Sequence, residues 1–183
     1  MRRARTEPGP DRDLGPEADP ESVARTILLD QLTGRARTRS ELATKLSSRG
    51  VPDDISARLL DRFEEVGLVD DAAFAREWVE QRQSGRGLAK RALAQELRRK
   101  GVDDDLAADA LATVDDDAER AKALELAARK ARVSRGQPHE KRVRSLAGML
   151  ARKGYSSSVA FGVVREVLAA EGDSEELIDL ELS

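Results

Sequence analysis

One short pattern, written three times, limits what this chain can fold into more than any other feature. Leu97-Arg98-Arg99-Lys100-Gly101-Val102-Asp103-Asp104 reads as the end of a helix, a sharp turn and the start of the next helix. Near-copies stand upstream as Leu46-Ser47-Ser48-Arg49-Gly50-Val51-Pro52-Asp53 and downstream as Leu150-Ala151-Arg152-Lys153-Gly154-Tyr155-Ser156-Ser157. The glycines are 51 and 53 residues apart, a spacing that marks a repeated supersecondary unit. The register extends beyond the turn. Leu42, Leu93 and Leu146 each lie eight residues before their glycine, and Leu46, Leu97 and Leu150 lie four before it. Ile55, Leu106 and Val159 follow by five residues, Leu60, Leu111 and Val164 by ten.

Each copy reads as three helices. In the first, Val23, Ile27 and Leu28 share a face of a helix over about 22–33. Thr38-Arg39-Ser40-Glu41 has capping-box spacing and opens a helix over 39–49, and Pro52-Asp53-Asp54 starts one over 53–66. Gly50, Gly67, Gly101 and Gly154 are the predicted structural turns, because a residue without Cβ enters the left-handed region after a last helical turn at little cost. Asp70 and Asp71, followed by Phe74 and Trp78, mark the junction into the second copy, whose first helix is expected to end around Gln83-Ser84-Gly85. Leu88, Leu93 and Leu97 carry its middle helix. The third copy opens at Asp115-Asp116-Asp117 and loops through Ser134–Pro138.

The expected organisation is an arm over 1–20, repeats over 21–69, 70–114 and 115–170, and an acidic tail over 171–183. The arm holds four of the six prolines and almost nothing to bury, which predicts disorder. A unit of this size buries too little to be comfortable alone, so neighbouring units are expected to share apolar faces. The predicted fold is therefore all-α: an elongated curved array of three tandem three-helix repeats.

Charge is segregated along the chain although the net is only -3. Arg86–Lys100 holds six cations against Glu96, and Arg120–Lys153 holds eleven against Glu125 and Glu140. Asp103–Glu119 and Glu166–Ser183 are purely acidic. Arg86, Lys90, Arg91, Arg98, Arg99 and Lys100 crowd one helix, and Arg142, Arg144, Arg152 and Lys153 the equivalent helix downstream. Cations at a helix C-terminus are favourable in any protein. A basic strip recurring in two repeats exceeds that need and points to a surface for phosphate or an acidic partner.

Reactive chemistry finds little support. His139 is the only histidine, follows Pro138 in a predicted loop and has no sequence partner for acid–base work. Gly85-Arg86-Gly87-Leu88-Ala89-Lys90 lacks the spacing and the Ser/Thr of a phosphate loop. The triple aspartates at 103–105 and 115–117 miss the alternation of a calcium loop and read as helix caps. Phe74 and Trp78 fit core packing better than base stacking. No cofactor, metal or small-molecule substrate is expected. Cysteine is absent, which removes disulfides and suits a reducing cytosol, and the cytoplasm is the expected location. Met1-Arg2-Arg3 runs into Pro, Asp and Glu with no secretory pattern, and no apolar window is long enough for a membrane span.

The motifs resemble the RecX family of bacterial regulators that antagonise the recombinase RecA. Carrying the resemblance are Ser40-Glu41-Leu42, Lys45-Leu46 and Arg49-Gly50-Val51, then Leu60-Asp61-Arg62-Phe63-Glu64-Glu65-Val66-Gly67-Leu68-Val69-Asp70-Asp71 running into Phe74-Ala75. Glu96–Val102 and Leu150–Tyr155 complete it, so that about 22–170 is covered in order. The resemblance implies three tandem three-helix repeats and a non-enzymatic protein lying along a RecA–single-stranded DNA filament. There it would inhibit ATP turnover, strand exchange and co-protease activity, modulating DNA repair, homologous recombination and the SOS response. Weak direct DNA contact would accompany this, and a nonspecific DNA-binding repeat protein is the alternative.

Overall fold

In the computed structural model, residues 19–172 are described, and all their regular structure is helical. Repeat 1 comprises α1 (Pro20–Thr33), α2 (Arg39–Ser47) and α3 (Asp53–Glu65). Repeat 2 comprises α4 (Asp71–Arg86), α5 (Lys90–Arg99) and α6 (Asp104–Ala112), and repeat 3 comprises α7 (Asp116–Val133), α8 (His139–Arg152) and α9 (Ser157–Ala170). The predicted arm lies outside the described residues except for Asp19, which caps α1 by accepting from the Ser22 amide, and Pro20, which opens it. The predicted acidic tail likewise lies outside them beyond Gly172.

Local chemistry accounts for most boundaries. Thr38 and Glu41 form the reciprocal capping box, with the Glu41 amide donating to Thr38 Oγ1 at 3.1 Å and the Thr38 amide to Glu41 Oε2 at 3.3 Å. Asp103 and Asp115 cap α6 and α7 by accepting from the amides of Asp105 and Ala118. Two boundaries differ from expectation. Gly85 lies inside α4, which continues to Arg86, and Gly87 at φ 61° is the residue that terminates it. His139, expected in a loop, is the first residue of α8 and is half-buried.

Every leucine four or eight residues before a repeat glycine is buried: Leu42, Leu46, Leu93, Leu97, Leu146 and Leu150 are all at most 1% exposed. These side chains, however, do not join the repeats together. Leu42 and Leu46 pack with Ala24, Leu28, Leu60 and Phe63 in one core. Leu93 and Leu97 pack with Phe74, Val79 and Ala110 in a second, and Leu146 and Leu150 with Leu126, Val163 and Val164 in a third. All the substantial helix-on-helix packing lies within a repeat. The expectation of shared apolar faces is thus corrected: each triplet closes its own core, and among the buried hydrophobic side chains of repeat 2 only Ala89 packs into the core of repeat 3.

Candidate functional site

The repeats are held to one another by a polar clasp that recurs in the same register. Thr38 and Ala89, the N-cap residues of α2 and α5, each stand twelve residues before their own repeat's glycine. Thr38 Oγ1 donates to the Lys100 carbonyl at 2.6 Å, and the Ala89 amide donates to the Lys153 carbonyl at 2.9 Å. The acceptor in both cases is the carbonyl just before the next repeat's turn glycine. One residue further on, the Arg39 amide donates to Asp71 Oδ1 at 2.8 Å and the Lys90 amide to Glu119 Oε2 at 2.7 Å. The C-terminal turn of α5 is thereby set against the N-terminus of α2, and that of α8 against α5. The orphan carbonyl of one middle helix meets a hydroxyl (Thr38) at junction 1–2 and an orphan amide (Ala89) at junction 2–3, and partial charges of opposite sign face each other across each junction.

Glycine is required at these contacts. A Cβ on Gly101 would stand 2.2 Å from Ser40 Oγ, and one on Gly154 would stand 2.6 Å from the Ala92 amide nitrogen. Gly50 has no preceding repeat, and a Cβ there would meet nothing within 4 Å. Junction 2–3 adds an apolar element. Tyr155 is buried and donates its hydroxyl to the Gly87 carbonyl at 3.1 Å. Burial, then the carboxylates of Glu119 and Glu125, pushes that phenol up to about 12 and keeps it a donor.

The basic residues separate into two groups once placed. Lys100 bonds Glu41 Oε1 at 2.6 Å and lies 5.0 Å from the Trp78 ring centroid. The same ring is stacked on Phe74, carries the Arg82 guanidinium at 4.2 Å and donates its Nε1 to Glu96 Oε2. Lys153 donates its ammonium to the Arg86 carbonyl, and Lys90 pairs with Asp116 at 2.6 Å. Arg142 is 4% exposed and bonds Ser134 Oγ, the Ala131 carbonyl and Glu171. These four cations, expected on an outward strip, are engaged within the chain. Lys100 and Lys153 sit at helix ends that the array itself covers, Lys90 lies against the α7 entry, and Arg142 faces inward from α8.

Arg86, Arg91, Arg98, Arg99, Arg144 and Arg152 remain exposed. Arg98 is 3.7 Å from Asp104, and the other five have no ion pair among the described residues. On α5, Arg91, Arg98 and the exposed Gln95 recur at helical spacing on the solvent face; on α8, Lys141, Arg144 and Arg152 do the same. Gly154 meets Ala92 where α8 abuts α5, one residue from Arg91 and two from Arg152 in sequence. Sequence reading missed Thr38, Ser40 and Glu119 as junction residues. The twelve-residue offset from Thr38 to Gly50, repeated from Ala89 to Gly101, is the signal that carries two of the contacts.

Asp71 of the predicted junction set does reach across, to the Arg39 amide, and burial holds its carboxyl above the ordinary value despite that bond. Asp70 caps α4 by accepting from the Ala73 amide. Phe74 belongs to the repeat 2 core. For Glu41, burial opposes the charged form, but the Lys100 ammonium and the Thr38 amide outweigh it and hold the carboxyl below 4.5. A lowered folded value gives stability that is present above the unfolded value and lost as pH falls through the folded one. Thermal melts between pH 5 and pH 3 are therefore expected to lose a component that Glu41→Gln already lacks; parallel pH curves for the two proteins would mean that the charge on Glu41 contributes nothing at this junction.

Closed three-helix bundles clasped end to end, with arginine rows along two middle helices, define a tandem helical-repeat protein. Comparison narrows this to one family. Residues 24–63, 70–111 and 117–164 match the first, second and third three-helix domains of RecX, and the chain belongs to the RecX family. It is 52% identical over 161 residues to "Regulatory protein RecX" of Streptomyces coelicolor, covering 88% of this chain and 86% of that one. To the protein of the same description from Thermobifida fusca it is 49% identical over 167 residues, covering 90% of each. The crystal structure of RecX from Lactobacillus salivarius matches with a TM-score of 0.73 at 23% identity, covering 81% of this chain and 96% of the other. No helix among the described residues is long and apolar enough to cross a membrane.

Proposed function

We propose that this chain is a non-enzymatic, cytoplasmic regulator that binds RecA and its filament on single-stranded DNA. In this reading it inhibits filament ATP hydrolysis, strand exchange and co-protease activity, and so modulates recombinational repair and the SOS response. Family membership supports the target class. The carrying observation is that α5 and α8, abutting end to end, both keep solvent-facing arginines after the internal clasps are satisfied. Several weak contacts spaced along such an array add as effective concentration on a partner that is itself a repeating polymer. Arg86, Arg91, Arg98, Arg99, Arg144 and Arg152 are the proposed contacts, with weak direct contact to DNA phosphates accompanying them.

The test reverses Arg91, Arg98 and Arg99 to glutamate together and leaves Lys100 alone, because a carboxylate at 100 would face Glu41 and open the junction. Helicity is expected to be unchanged while inhibition of RecA-filament ATP hydrolysis weakens at least about tenfold, since exposed charges govern steering and encounter. Undiminished inhibition by the folded variant would remove this row from the interface. Tight, steeply salt-dependent DNA binding without RecA would instead favour a DNA-binding repeat protein.

A further inference from the structure

Repeat 3 carries an open groove of about 450 Å³ between α7 and α8. Leu126, Val133 and Met149 form its apolar lining, and Arg129, Lys130 and Lys153 bring cations to it. Val133 is 84% exposed, unusual for a branched apolar side chain. Glu125 pairs with Lys122 at 2.8 Å and acts on Arg129, while Lys130 and Lys153 have no ion pair among the described residues. Burial and then the neighbouring charges of Arg129, Arg86 and Lys122 hold the Lys153 ammonium below its usual value.

The last described turn of the chain is tied to one groove residue through the buried Arg142 guanidinium. Glu171 bonds Arg135 at 3.1 Å and Arg142, and Arg142 reaches Ser134, which lines the groove. Residues 173–183 follow immediately. They contain Asp173, Glu175, Glu176, Asp179 and Glu181 with Leu177, Ile178, Leu180 and Leu182 interspersed, and no cation. That composition complements the groove in both charge and apolar character. Eleven residues reach up to about 35 Å when extended.

We infer that residues 173–183 dock intramolecularly in the groove between α7 and α8, their carboxylates against Arg129, Lys130 and Lys153 and their leucines against Val133 and Met149. A short tether supplies an effective concentration on the order of millimolar, so a contact too weak to persist between separate molecules is populated within one chain. The segment would then cover cations bordering junction 2–3, next to Arg86 and Arg152. Docking itself stands apart from the RecA reading and is measured on the isolated protein.

Amide spectra of the full chain and of a chain ending at Gly172, which retains Glu171 and every described helix, provide the test. The amides of Val133, Ser134, Ser145 and Met149 are expected to differ between the two while those of repeat 1 coincide. Arg129→Glu with Lys130→Glu in the full chain, or about 0.5 M salt, is expected to move the same amides toward the shortened form. Adding a peptide of residues 173–183 to the shortened chain is expected to restore the shifts only at about millimolar concentration. Coincident groove amides in the two chains would overturn the inference. So would shifts that vanish on dilution of the full chain, which would assign the occupant to a second copy, or shifts indifferent to both charge reversal and salt.

Discussion

Gly154→Ala is expected to open the second junction, whereas Gly50→Ala at the matching position of repeat 1 is expected to be mild. All three repeat glycines lie in the left-handed region, with φ of 74°, 72° and 92° at Gly50, Gly101 and Gly154. Each substitution therefore carries a backbone penalty of about 1–2 kcal/mol. At Gly50 that is the whole cost, because the space around it is open. At Gly154 the new methyl would overlap the Ala92 amide nitrogen and Cβ at 2.6 Å, and backbone cannot rotate away as a side-chain tip can. Overpacking adds roughly 1–3 kcal/mol. Separating the turns would also release the Ala89–Lys153 and Tyr155–Gly87 bonds. Urea unfolding should show the difference in midpoints, and hydrogen exchange should place it at Ala89 and Lys90. Equal midpoints for the two variants would mean that the clasp contributes nothing to cohesion.

Arg142→Met is expected to destabilise repeat 3 by about 2–4 kcal/mol, in contrast to Arg144→Met two residues along, which should stay within about 0.5 kcal/mol. The Arg142 guanidinium is buried and ties the end of α7, through Ser134 and the Ala131 carbonyl, to the end of α9, through Glu171. Removing it leaves Ser134 Oγ without that donor and the largely buried Glu171 carboxylate with Arg135 alone, while the Ala131 carbonyl keeps the Ser134 amide and hydroxyl. The guanidinium lowers the Glu171 carboxyl below its ordinary value, so this stability too is present above 4.5 and lost as pH falls through the folded value. A double variant, Arg142→Met with Glu171→Met, is expected to recover part of the loss by removing the stranded carboxylate. If thermal or urea melts find Arg142→Met as harmless as Arg144→Met, the guanidinium is not holding the two helix ends together.

The position of Arg142 also shows why a cationic strip is difficult to identify before folding. Arg142 and Arg144 differ by two residues, which is about 200° around a helix, so one faces the bundle and the other the solvent. Composition assigned both to one basic stretch. Periodicity separates them only when the buried face is already known, and the polar character of Arg142 argued against placing it there.

Much of the molecule was nonetheless legible in the residue order alone. The triple recurrence of leucine at minus eight and minus four from a glycine, with an acidic or serine-rich helix start behind it, established three helix–turn–helix cores. Helix formation and capping depend on residues three or four apart, which is why local chemistry decides them. How the repeats attach to one another depends on pairs such as Thr38 with Lys100 and Ala89 with Lys153, more than sixty residues apart in sequence. No periodic pattern of side chains encodes a backbone carbonyl meeting a distant hydroxyl or amide. Only the tertiary structure therefore decided that each core closes separately, that Lys100 and Lys153 fasten the array, and that the outward rows are left to Arg91, Arg98, Arg99, Arg144 and Arg152.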